Sequence, residues 1–497
     1  MDRRHLTLAL LGVTILAAAV RIPRLAYQPL WTDEANCLAI AQARTVSAWH
    51  ALEHDCSPPL YYWLLGAVAG NDPDEGRVRA LSVVLGIIAP ALLLSAGVHL
   101  LGNPGAMAGV LLAISPLHVW HSQEARMYSL VCLLGVFLVW FTYLSWKGST
   151  RMLAALAVVQ IGLLWSHHFS LFSVAVSWVL IVSGGRIRLR RVAVWVLVVT
   201  VAWAPAAWLL SRQVFVFRTG TWLAPPAFDA PLRSVGLWIA GVNGAAHSLV
   251  AGVPMALALG AVGVAPLAYA GLWRGVGRVA AVLCGGTLAL AWIVSRVVPA
   301  LVPGRYDVVV MPAFILMLAA GWSAVGGRIR VGALALLMSG AALGLVYYFT
   351  TYEKGSVRDL VRLINAAEQP RDVMVVVPEI EAPVVHYYYR GVLRVLVPPT
   401  FERVDRVDYA QYGQRWASDD EAQRLAERCW ELVPAGGRIH LIYSPYRSTV
   451  HFKGCLMRGA AYTRVTRRVS GSGSTELAIL ERKPSAPFPT TGRLAQR

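Results

Sequence analysis

Roughly eleven apolar runs, most of them long enough to cross a bilayer, fill the first 349 residues, and a chain so built has few choices of fold. They lie at 6–22, 80–101, 105–120, 127–146, 152–166, 168–183, 192–210, 250–272, 279–298, 307–325 and 331–349. In lipid every backbone N–H and C=O must be satisfied internally, so runs of this length read as membrane helices. The first begins at Leu6 behind Arg3 and Arg4 and exits into Arg21, Pro23 and Arg24. That exit has no small-residue cleavage site, so the run reads as a retained helix and not a removed leader.

The connections alternate in character. Lys147–Arg151, Gly184–Arg191, Arg274–Arg278 and Arg328–Arg330 are short, basic and free of acids. The positive-inside rule makes them cytoplasmic, together with the N-terminus. Loops 23–79, 116–126, 211–249 and 299–306 then face outward, and an odd helix count places 350–497 outside as well. Residues 1–352 hold 11 acids, and seven of these fall within 33–75. Acids contribute little to orientation, so their gathering on one face points to chemistry there.

Composition fits this reading. Charged residues are 14% of the chain and hydrophobic ones 57%, whereas soluble domains carry about 25% charged residues. The formal charge of +18 is spread over short loops and the tail, not along one stripe. That excludes a nucleic-acid partner and suits anionic lipid or a lipid phosphate.

Two places carry the chemistry. Trp31-Thr32-Asp33-Glu34-Ala35 follows the first run, and Ser115-Pro116-Leu117-His118-Val119-Trp120-His121-Ser122-Gln123-Glu124-Ala125-Arg126-Met127-Tyr128 lies in a short gap between two others. Charges kept beside hydrocarbon are costly and tend to be functional. Ser57-Pro58-Pro59-Leu60-Tyr61-Tyr62-Trp63 predicts an interfacial helix started by proline, and Leu232–Ala240 a second amphipathic stretch. From Thr350 the composition changes. Val357–Ala367 has helical spacing; Asp372–Pro378 reads as a buried strand, and Ile439–Tyr443 and Glu476–Leu480 as further strands. The expected division is a membrane domain over 1–349, with its external loop 23–79, an α/β domain over 350–484, and a disordered end at 485–497. Cys37 with Cys56, and Cys429 with Cys455, are possible disulfides or free thiols.

Asp33-Glu34, Pro58-Pro59-Leu60-Tyr61-Tyr62, Ser122-Gln123-Glu124-Ala125-Arg126-Met127-Tyr128 and Gly304-Arg305-Tyr306, in this order and topology, resemble the GT-C superfamily of integral-membrane glycosyltransferases. The likeness spans most of residues 1–350 and is greatest to the protein O-mannosyltransferase and lipid A aminoarabinose transferase branch. It implies an α-helical polytopic membrane protein with about eleven helices and a small C-terminal α/β extracytoplasmic domain. It also implies a polyprenyl-phosphate sugar donor and transfer on the extracytoplasmic face of the inner (plasma) membrane.

Such a transfer needs a base for the acceptor hydroxyl, positive charge for the leaving phosphate, and alignment of both substrates. Asp33 is the first candidate for the base. Glu34 is an alternative base or an orienting neighbour, and Asp33 could instead cap a helix over Ala35–Ala43. Glu124 is a candidate to orient the acceptor, hold a metal, or pair with Arg126. Arg305 and Arg126 suit bidentate phosphate contact, or snorkel to headgroups. Tyr306 and Tyr61 are candidates to border the donor phosphate. Asp55 (with His54), His121, Tyr128, His167 and His168 are possible lining residues. His118 belongs with them, or with ordinary core histidines. A divalent cation such as Mg or Mn is left open, because no spacing demands one. The partners expected are the donor, membrane lipids and an acceptor lipid, glycan or protein. The rival reading is a transporter or flippase. It fits the helices, but the acids lie outside them and not at the bilayer midplane.

Overall fold

A computed structural model describes residues 2–43, 51–53, 55, 57–220, 225–241, 253–355, 357–401, 419–444, 447–469 and 475–482. His54, Cys56 and 485–497 lie outside these residues. The chain forms two compact units. One comprises Met1–Tyr27, Cys56–Val214 and Leu223–Tyr352; the other comprises Gln28–Asp55, Phe215–Trp222 and Glu353–Arg497.

The first unit is helical. The long apolar runs become the helices Arg3–Arg21, Glu75–Leu101, Tyr128–Trp146, Leu189–Gly220, Gly275–Val294, Met311–Ala324 and Gly327–Thr350. Thr150–Ser166, Ser170–Gly184 and Val253–Leu272 complete the set read from the sequence. Among the described residues, 7 helices are long and apolar enough to cross a membrane, and other apolar helices are shorter. The two stretches with amphipathic or aromatic character form the helices Leu60–Ala69 and Ala230–Ala240.

The run at 105–120 departs from the expectation. It is two helices, Met107–Ile114 and Pro116–Ser122, broken at Ser115. Pro116 lacks an N–H and pushes the residue before it out of the helical region. Ser115 then caps the second helix, its hydroxyl accepting from the His118 N–H at 3.4 Å. Residues 116–122, expected in a loop, are therefore helical.

Small residues let backbones approach closely. A Cβ on Gly97 would stand 2.1 Å from the Gly105 carbonyl oxygen. One on Gly135 would stand 2.2 Å from the Val309 carbonyl oxygen, so this glycine seats the helix Tyr128–Trp146 against the 3-10 turn Tyr306–Val310.

The second unit is built on a sheet of strands β1 Val373–Val377, β2 Arg394–Leu396, β3 Arg438–Tyr443, β4 Ala460–Val469 and β5 Thr475–Arg482, in the order β2-β1-β3-β5-β4. β1 runs parallel to β2 and β3, while β5 is antiparallel to β3 and β4. Alternate side chains of a strand face opposite ways. Val373, Val375 and Val377 pack with Ile439, Leu441 and Leu480 under the helices Asp419–Glu431 and Arg447–Arg458. Met374 and Val376 pack on the other face with Leu360, Val361 and Ile364 of the helix Val357–Ala367. Ala35 belongs to that second core. The unit thus takes in Gln28–Asp55, a stretch the sequence places with the membrane helices. Cys429 and Cys455 are free thiols within the first of these cores.

Candidate functional site

The break at Ser115 leaves the last carbonyls of the helix Met107–Ile114 without helical partners. Arg21 satisfies them. Its Nη1 donates to the Ala113 carbonyl at 2.8 Å and to Ala17 at 3.1 Å, and its Nη2 donates to Leu112 at 3.2 Å. Nη2 also meets His118 Nδ1 at 2.8 Å, and Nε donates to Ser122 Oγ at 3.1 Å. A guanidinium has five N–H donors, and all are used here. Gln123 ties the same region, donating from Nε2 to the Arg21 and Pro23 carbonyls and accepting from Tyr348 Oη at 2.8 Å. Ser122 and Gln123 of the motif are therefore structural anchors, and His118 belongs with them.

This anchoring presents His121 and Glu124 from one side of the break. His121 Nε2 stands 2.7 Å from the Gly304 carbonyl. A carbonyl only accepts, so the proton is on Nε2, and Nδ1 faces Glu124 Oε2 at 3.4 Å. Gly304 adopts φ +72°, which suits glycine, and its N–H is held by Asp307 Oδ2 at 3.1 Å. Asp307, not among the residues singled out by sequence, thereby sets the turn that carries Arg305 and Tyr306.

Four rings then follow one another. Centroid separations are 4.5 Å for His121–Tyr128, 6.2 Å for Tyr128–His167 and 4.7 Å for His167–Tyr306. The Arg305 guanidinium lies 6.0 Å from the Tyr128 ring centre. The charges of Arg126 and Arg305 both reach His167. Tyr61 Oη and Ser82 Oγ are 2.7 Å apart, and Ser82 donates to the Arg126 carbonyl at 3.2 Å. His168 points elsewhere: its Nε2 meets Gln213 Oε1 at 2.6 Å, and Gln213 reaches the Ser57 carbonyl. The first unit thus brings together His121, Glu124, Arg126, Tyr128, His167, Arg305 and Tyr306, with Tyr61 behind Arg126. Two guanidinium groups among aromatic rings make a setting suited to an anionic group.

The acid pair belongs to the second unit. Trp31 is the cap of the helix Thr32–Gln42, so Asp33 and Glu34 lie in its first turn and Asp33 is not the cap. Asp33 is half-buried. Glu34 is wholly buried, and its Oε2 accepts from Lys354 Nζ at 2.9 Å. Thr32 Oγ1 donates to Glu381 Oε2 at 3.1 Å, and Ser444 Oγ donates to Glu381 Oε1 at 2.8 Å. Burial pushes the Glu381 carboxyl above its ordinary range against these hydrogen bonds, and the charge of Asp33 adds to the rise. Asp55 is 1% exposed, so it is not loop surface. Lys354 and Glu381 carry no local sequence signal, since the residues they hold, Glu34 and Thr32, are 320 and 349 residues away.

Among the described residues no group of three or more His, Cys, Asp or Glu side chains could hold a metal ion. His121 and Glu124 converge as a pair, which falls short of a complete ligand set for Mg or Mn.

No family model matches the chain, and no curated protein matches it. Two solved structures similar to it are of ArnT from Cupriavidus metallidurans. The apo structure has a TM-score of 0.62 at 14% identity, over 94% of this chain and 97% of that one. The structure bound to undecaprenyl phosphate has a TM-score of 0.58 at 14% identity, with the same coverage. At this identity the likeness shows the fold alone, apolar helices with a small α/β domain.

Proposed function

We propose that the chain is a membrane glycosyltransferase. It moves a sugar from a polyprenyl-phosphate donor to an acceptor hydroxyl on the extracytoplasmic face of the inner membrane. The N-terminus is cytoplasmic, residues 1–349 form the catalytic membrane domain, and the domain from 350 to 484 is extracytoplasmic. The observation that carries this reading is the gathering of Arg126, Arg305, Tyr128, His167 and Tyr306 in the first unit, within a fold shared with a protein crystallised with undecaprenyl phosphate.

Asp33 takes the proton of the acceptor hydroxyl as its oxygen attacks the anomeric carbon. The bond from that carbon to the phosphate oxygen breaks on the opposite side, and the configuration inverts. The phosphate leaves with the bonding electrons, and Arg305 and Arg126 neutralise the charge that builds on it. Glu124, held beside His121, orients the acceptor, and the rings of Tyr128, His167 and Tyr306 exclude water.

The test uses purified protein in nanodiscs, supplied with radiolabelled polyprenyl-phosphate sugars and a membrane lipid and glycan extract. Label should move to an acceptor with wild type and fall about 10²–10⁴-fold in Asp33→Asn, the usual worth of a general base. A flippase would move the donor across the bilayer equally well with either protein. Equal transfer by both would remove Asp33 from the role of base.

A further inference from the structure

The reading of Asp33 as base leaves open what holds it in place. Within the second unit, the residues on either side of it are gripped separately. Thr32, before it, donates to the buried carboxyl of Glu381. Glu34, after it, pairs with Lys354, and the two side chains are 0% and 1% exposed. Each grip is itself fixed. The Lys354 N–H donates to Gln28 Oε1 at 2.9 Å, on the chain leading into the helix. Ser444, which holds the second oxygen of Glu381, donates its N–H to the Val377 carbonyl at 2.9 Å, and its hydroxyl meets Thr475 Oγ1 at 2.9 Å. The Leu30 N–H donates to Tyr388 Oη at 2.7 Å, and Ala35 packs into the sheet's second core.

We propose that Lys354 and Glu381 are positioning residues, which clamp Thr32 and Glu34 so that the carboxylate of Asp33 between them is presented in one fixed orientation. A buried ion pair is a poor source of net stability, because desolvating both charges offsets their attraction; its attested use is to specify geometry. A base has to stand within hydrogen-bond reach of its proton, and a misplacement of about 1 Å costs about 10²-fold in rate. Asp33 is half-buried, whereas Glu34 is wholly buried and paired with Lys354. This divides the acid pair into a reacting member and an anchor. The domain after residue 352 therefore takes part in the reaction by holding the base, whichever acceptor it also recognises.

The clamp rests on the reading of Asp33 as base, and the experiment separates the two. The full-length protein is compared as wild type, Lys354→Arg, Lys354→Met, Glu34→Gln/Lys354→Met and Asp33→Asn. Hydrogen exchange over Thr32–Gln42 is followed together with turnover and donor KM. The double variant removes both charges of the pair, so its thermal midpoint should rise above that of Lys354→Met. Its turnover should stay down by about 10–100-fold with donor KM unchanged, and exchange over Thr32–Gln42 should be faster. Lys354→Arg, which keeps the charge, should recover most of the turnover. A double variant with wild-type turnover, or unchanged exchange over Thr32–Gln42 in either Lys354→Met protein, overturns the clamp. An Asp33→Asn protein that still turns over at the wild-type rate strikes the base reading alone, because the exchange result stands without it.

Discussion

Arg21 and Lys354 are both buried cations, and the two units handle their charge in opposite ways. Arg21 has a carboxylate at none of its five hydrogen bonds. Its planar fork spreads the charge over three backbone carbonyls, a hydroxyl and an imidazole, and two of those carbonyls end a helix, where the macrodipole is negative. Lys354 carries a compact charge with three donors and pairs with the carboxylate of Glu34. The arginine closes a gap that a proline opened in a membrane helix. The lysine specifies where a neighbouring acid stands. A buried cation answered by carbonyls marks a joint in the framework; one answered by a carboxylate marks a choice of geometry, and losing it should touch chemistry first.

That contrast can be broken by substitution. Arg21→Met should have the largest effect. It leaves the Ala113 carbonyl and His118 Nδ1 buried without the donor that Arg21 supplies, at about 1–3 kcal/mol each, and removes the link to Ser122. Heating in detergent, followed by monodispersity, should show early loss of the whole membrane unit. A variant as stable as wild type would mean that these acceptors find other donors. Lys354→Met comes next, at about 3–5 kcal/mol on the second unit, because it removes the cation paired with the buried Glu34. Protease sensitivity of the 353–482 region reports this, and pairing the change with Glu34→Gln should restore resistance.

Gly86→Ala sharpens the same contrast at a smaller scale. The new methyl would stand 2.1 Å from Ser122 Oγ and 3.5 Å from Arg21 Nε, so the Arg21 joint must shift, at about 1–3 kcal/mol. Its thermal midpoint should fall part of the way toward that of Arg21→Met, and Gly86→Ala added to Arg21→Met should cost less than alone. The smallest effect is expected at Glu381. Its folded pKa lies above the unfolded one, so the folded state holds the proton more tightly. The stability this contributes is present below the unfolded value and is lost as pH rises through the folded one. Glu381→Gln should therefore flatten the decline of second-unit stability as pH rises above the ordinary carboxylate range. Exchange protection of β1, corrected for intrinsic rates, measures that slope.

Much of the membrane unit was legible, because hydrophobic length alone marks a helix that lipid will surround. The run at 105–120 misled, since hydropathy does not register that Pro116 ends one helix and begins another. In the α/β unit, Val373–Val377 stood out as an unbroken apolar strand buried on both faces. β4, with Arg464, Arg467 and Arg468 in its sequence, offered no such run, and its place is set by pairing with β5. At the site, Arg305, Tyr306, Tyr128 and His167 were readable as polar residues beside apolar runs. Arg21 was read only as the exit of the first helix. Lys354, Glu381 and Asp307 were passed over, because a buried polar side chain is defined by its partner, and their partners are chosen by the tertiary fold. Glu34 shows the limit most plainly: adjacent in sequence to Asp33 and chemically akin to it, it is separated from it by a lysine far along the chain.

The second unit takes in Gln28–Asp55, Phe215–Trp222 and a segment that begins only at Glu353. At ribosomal speeds of about 5–20 residues per second, the first piece waits roughly 15–60 s for the last to be made. Throughout that interval Glu34 has no lysine and Thr32 has no Glu381. A truncated chain, stalled anywhere in the last helices, would hold the arginines and rings but no seated acid. By order of synthesis, the acid is secured only after the helices of the first unit have been made.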